Sequence, residues 1–167
     1  MTELEGFHCR TCGKWHEGLP MDYGYDAPFY WSEALKADPH SYLSADFCMI
    51  EKRDYFVRGL LEVPVLDSVR PFRWGVWVSL SKPNFDKMVS LWHDPKLVEE
   101  PSYFGWLSSS IEMYPPTLNL KTSAHSTSVH ERPQVILEQS DHPLAVEQSK
   151  GISVNRVREI VERALHG

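Results

Sequence analysis

Residues 54–65, DYFVRGLLEVPV, decide how the chain reads. Tyr55, Val57, Gly59, Leu61 and Val63 fall on one face of an extended chain, and Phe56, Arg58, Leu60 and Glu62 on the other. Side chains of a β-strand alternate between two faces, so this pattern predicts a strand buried on one side. After a turn-like LDSVRP, residues 72–81, FRWGVWVSLS, repeat it. Here Trp74, Val76, Val78 and Leu80 oppose Arg73, Gly75, Trp77 and Ser79. The two runs are expected to pair as a hairpin with a long connection, with Trp74, Val76 and Val78 at the centre of the core.

Working outward, ADFCMI (residues 45–50), TLNLKTSAHS (117–126) and PQVILEQS (133–140) read as further strands. Pro28 is expected to open a short helix over PFYWSEALKA. KPNFDKMVSLWHD reads as a helix because Phe85, Met88, Val89 and Trp92 recur at spacings of three and four. PSYFGWLSSSIEMYPP is expected to form a helical turn and then a loop. HPLAVEQSKG begins another helical turn, which Gly151 separates from the last element. There Ser153 can cap a helix whose Val154, Val157, Ile160, Val161, Ala164 and Leu165 make one apolar stripe. Glu159 and Arg163 add an i,i+4 pair on its wet face. Strands and helices in this irregular order predict an α+β fold: a largely antiparallel sheet, two to three packed helices and an N-terminal zinc-knuckle-like loop. The expected organisation is one domain over 1–167, with a zinc-bound segment at 1–50, a sheet-rich core at 51–142 and a helical segment at 143–167.

The chain has 167 residues, 42% hydrophobic and 12% aromatic, enough for a self-sufficient core and unlike a disordered chain. A net charge of −6 gives no general attraction to nucleic acid or anionic membrane, and neither is expected as a partner. MTELEGFHCR has no basic stretch leading into an apolar run, and no segment reaches the length of a membrane helix. The expected location is the cytoplasm, where three cysteines stay reduced and are buried, reactive or metal-bound.

Residues 6–20, GFHCRTCGKWHEGLP, bear on that choice. Two cysteines at C-x2-C spacing reach one ion from a single tight turn, and Gly13 supplies the positive φ such a turn often needs. His16 is close enough to be a third ligand, and Cys48 is the expected fourth. The set Cys9, Cys12, His16 and Cys48 would form a closed structural zinc site, one ion per chain. His8 and His40 are substitutes if His16 or Cys48 points elsewhere. Two other readings stand beside this one: Cys48 as an ordinary buried small hydrophobe, and Cys9 and Cys12 as a redox dithiol. The dithiol needs a strand before the first cysteine and a helix from it, which TELEGFH and GKWHEGLP fit poorly.

The blocks CRTCGKWHEGLP, SADFCMI, YFVRGLLEVPV, WGVWVSLS, YFGWL, YPPTLNLK, RPQVILE and HPLAVEQSKGI, in this order from about residue 7 to 152, resemble the bacterial family catalogued as domain of unknown function 2199. The resemblance implies a bacterial, single-domain protein carrying the C-x2-C block, and no substrate.

Elsewhere, Arg58, Glu62, Trp77 and Ser79 could share one sheet face, where an Arg among aromatics can hold a carboxylate or phosphate by its fork. The plainer reading is an Arg58–Glu62 pair on a solvated face. Asp141 beside His142 could orient a general base, but Pro143 favours a helix start capped by Asp141 or Ser140. His125 and His130 lie near serines without a G-x-S-x-G elbow, and Arg132, Glu138 and Gln148 belong to no catalytic spacing. Two functions follow as expectations. The first is a zinc-stabilised, non-catalytic module binding a protein or small ligand, and the second a metal-assisted hydrolase with water in an open zinc position.

Overall fold

The alternating runs at 54–63 and 72–80 pair antiparallel from Tyr55↔Leu80 to Val63↔Phe72. Val57, Leu61, Val63, Val76 and Val78 are fully enclosed, so the inward face is the one the alternation predicts. A computed structural model describes residues 6–167. Its strands are β1 (Phe7–His8), β2 (Trp15–His16), β3 (Asp22–Gly24), β4 (Tyr42–Leu43), β5 (Phe47–Ile50), β6 (Asp54–Val63), β7 (Phe72–Leu80), β8 (Tyr103–Leu107), β9 (Lys121–His125) and β10 (Gln134–Leu137). The α-helices are α1 (Lys82–Ser90), α2 (Pro143–Lys150) and α3 (Val154–His166).

β1 and β2 form a separate antiparallel ribbon. The other strands share one sheet, and part of it closes on itself: β6, β7, β8, β9 and β10 follow one another, and β10 returns to β6. The closure is a parallel pairing at Gln134↔Leu60, with the Leu60 N–H donating to the Pro133 carbonyl at 2.8 Å. Gly59 permits it. A Cβ there would lie 2.5 Å from Val135 Cγ2 and 2.9 Å from the Pro133 oxygen. β3 runs parallel beside β7, while β5 and β4 extend the sheet antiparallel beyond β6. The α+β class stands, but the sheet is mixed and closes into a five-stranded barrel rather than lying open and largely antiparallel.

Three local expectations are corrected. Residues 103–107 form β8, with Tyr103, Gly105 and Leu107 inward and Phe104 and Trp106 outward. The helix expected from Pro28 shrinks to a 3-10 turn over Glu33–Ala37. On α3, Val157, Ile160 and Val161 are buried, whereas Ala164 and Leu165 are exposed and Glu159 pairs with Arg156 rather than Arg163. The Ser153 cap is present, its Oγ accepting the Arg156 N–H at 3.1 Å.

One apolar cluster runs from Phe7 and Cys9 through the barrel to Val157 and Val161. Trp74 is buried in it against the rings of Phe72, Tyr23 and Tyr114. On the opposite side of the β5–β6–β7 strands, Cys48, Ile50, Phe56 and Trp77 form a smaller cluster. Among the described residues, no helix is long and apolar enough to cross a membrane.

Candidate metal centre

The β1–β2 ribbon carries a tight turn at its tip. The Cys9 N–H donates to the Lys14 carbonyl and the Gly13 N–H to the Cys9 carbonyl, each at 2.9 Å. Gly13 has φ 71°, the left-handed value anticipated for the residue after the second cysteine. β2 follows at once and places His16 across from Phe7, their rings stacked at 5.2 Å. Cys9, Cys12 and His16 therefore come together through local geometry alone.

The fourth group arrives from the other end of the chain. α3 docks its last two turns on this loop, where the buried Glu162 accepts from the Arg10 backbone N–H and from Arg10 Nε, both at 3.3 Å. One turn further, His166 Nε2 stands 3.2 Å from Cys9 Sγ, and His16 Nε2 stands 3.3 Å from Cys12 Sγ. Donor atoms of Cys9, Cys12, His16 and His166 all lie within 4.8 Å of one another. A zinc ion holding sulfur at about 2.3 Å and nitrogen at about 2.05 Å in a tetrahedron sets sulfur and nitrogen about 3.6 Å apart. The four donors are thus close to the spacing the ion demands.

Burial pushes the Cys9 thiol up, but hydrogen bonds from the backbone N–H groups of Cys12 and Thr11, and from the Cys12 side chain, outweigh it and hold Cys9 below the ordinary thiol range. The shift is toward the thiolate form that a metal ligand takes.

The family described as an uncharacterized protein conserved in bacteria, domain of unknown function 2199, matches residues 8–152. The chain belongs to this DUF2199 family. No curated protein and no solved structure matches it. The matched stretch of the DUF2199 chain includes Cys9, Cys12 and His16, while His166 lies beyond it.

Cys48, expected as the fourth ligand, is corrected: in the DUF2199 chain it stands apart from the donor group. It is enclosed on β5 beside Ile50, Phe56 and Trp77, and burial pushes its thiol up to about 12. The reading of Cys48 as a buried small hydrophobe fits this position. His8 packs edge-on against Trp15, and His40 sits on an exposed turn beside Asp38, so neither joins the donors. Sequence reasoning missed His166 because nothing in a helix-terminal histidine announces a partner 157 positions away.

The face expected to carry Arg58, Glu62, Trp77 and Ser79 divides. Trp77 is enclosed, its Nε1–H donating to the Tyr25 carbonyl at 2.8 Å. Glu62 pairs with Arg73 at 3.3 Å rather than with Arg58. Ser79 Oγ accepts the Trp106 N–H and lines a different cavity, beside Tyr30 and Phe56. Arg58 remains, 5.9 Å over the Trp77 ring, in a cleft that also contains His130 and Arg132.

The other candidates brace the fold. His142 itself caps α2, its Nδ1 accepting the Leu144 N–H at 3.1 Å while Nε2 meets the Pro115 and Pro116 carbonyls. Ser140 Oγ accepts the His142 backbone N–H, and both ring nitrogens of His142 are engaged by backbone groups of Leu144, Pro115 and Pro116. Gln148 bridges strands, accepting from the Leu137 N–H and donating to the Val135 and Glu62 carbonyls. His125 lies on β9, where it faces Gln134, and the Glu138 backbone N–H donates to the Lys121 carbonyl.

Proposed function

We propose that this DUF2199 protein is a non-catalytic binding module held together by one structural zinc ion. The reading rests on the convergence of Cys9, Cys12, His16 and His166 from the two ends of the chain. Two thiolates and two imidazoles suit zinc, and four protein donors leave the ion no open place for substrate or water. The full set of four meets only when α3 docks on the ribbon and brings His166, so binding energy becomes folding energy, fastening the N-terminal ribbon to α3. Thiolates at the site fit a reducing compartment, and we place the protein in the cytoplasm. Binding then falls to the clefts of the sheet, for a small ligand or a protein, without nucleic acid or membrane.

Elemental analysis of untagged protein is expected to give about one zinc per chain, and little in Cys12→Ser. Cobalt-substituted protein is expected to show the intense visible bands of a four-coordinate thiolate site, weakened in His166→Ala. No metal in the native protein, or equal metal in Cys12→Ser, overturns the reading. A cobalt spectrum unchanged in His166→Ala, together with zinc-dependent hydrolysis, favours the open-site hydrolase.

A further inference from the structure

A cleft of about 570 Å³ lies over the outer face of β6 and β7, walled by β3 and by residues 129–132. Its floor is bare backbone: Gly24 on β3 pairs with Gly75 on β7, and a Cβ at Gly24 would lie 3.6 Å from Arg58 Nη2. Three arginines line it, and two are already neutralised. Arg73 pairs with Glu62 at 3.3 Å and Arg132 with Asp46 at 3.1 Å.

Arg58 differs. Its side chain is 17% exposed, yet among the described residues its one ion-pair contact is Asp26 at 3.5 Å, and that carboxylate is fully exposed. Among the described residues, its buried Nε has no hydrogen-bond partner. Position on β6 and the Trp77 ring beneath hold the guanidinium in place, so a planar, five-donor group is presented with most of its donors unused.

We infer that this cleft binds a small monocarboxylate with a flat apolar body, its carboxylate accepting from the Arg58 fork over the Gly24–Gly75 floor. Tyr23, Leu60 and Trp92 supply apolar wall. The cleft also holds Asp22 and Glu131, both exposed, which repel a multiply charged phosphate more than a single carboxylate. A bidentate guanidinium–carboxylate contact over a half-buried floor is the geometry in which arginine outperforms lysine. The inference rests on the binding-module reading and not on the metal.

Benzoate titrated into nitrogen-15-labelled, zinc-loaded full-length protein tests it, read at the arginine Nε–H signals and the Gly24 and Gly75 amides. The expected result is a saturable shift of the Arg58 signal and both glycines. Arg58→Lys is expected to bind on the order of ten-fold more weakly, with an otherwise native amide spectrum. No saturable shift in the native protein overturns the inference, a result that needs no folded variant. Unchanged affinity in Arg58→Lys also overturns it. Inorganic phosphate moving the same signals at lower concentration overturns the carboxylate class. Metal analysis of the same samples separates the two claims, because benzoate binding can fail while the zinc is present, and the reverse.

Discussion

Cys48 shows how burial alone can set a residue's chemistry. Enclosed against Ile50, Phe56 and Trp77, its thiol stays protonated at neutral pH and fills space as a methyl group does. Cys48→Ala is expected to cost about 1 kcal/mol of stability on denaturant titration, with the metal content of the native protein. Loss of metal in that variant would return Cys48 to the ligand set. Cys9, Cys12 and His16 could be read from the primary structure because a C-x2-C turn, a following glycine and a nearby histidine are all local features. His166 could not, since only the docking of α3 brings it in.

Tyr114, Glu147 and Arg156 bind three segments together: the loop after β8, α2 and α3. The Tyr114 hydroxyl donates to Glu147, and Arg156 Nε donates to the same carboxylate at 2.8 Å. Burial first, and then Glu147, hold the Tyr114 phenol well above its usual range, and burial with Glu100 does the same for Tyr103. Both folded values are raised, so their contribution to stability is complete below the unfolded phenol value of about 10 and is lost as pH rises through the folded ones. Phenolate absorbance during alkaline titration is expected to show a late fraction that ionises only as the protein unfolds. Tyr114→Phe should shrink that fraction and lower stability by about 1–2 kcal/mol; an unchanged late fraction would place the phenol in solvent. β6 and β7 were legible as elements because nine or ten residues of alternation leave little choice. β8 was not, having five residues between Pro101, Ser102 and a serine run that reads as loop.

Barrel closure belongs to the whole molecule. It depends on one parallel pairing between β10 and β6, which no local pattern encodes, so an open antiparallel sheet was the natural expectation. The barrel has its own continuous ladder, whereas among the described residues the β1–β2 ribbon pairs only with itself and meets the end of α3 at the donor cluster. Chelation is therefore expected to remove hydrogen-exchange protection from the ribbon and the last turns of α3 together, leaving β6 to β10 protected. Protection lost evenly across all of these would show that the metal supports the barrel directly.

The meeting of Cys9 with His166 also has a mechanical side. Tension applied between these two positions runs along the few ångströms separating them before it can reach any strand. With an ion coordinated there, the load falls on metal–ligand bonds while the strand ladder stays slack. Resistance to pulling at Cys9 and His166 is then set by ligand exchange at the ion, and the barrel feels force only after those bonds part.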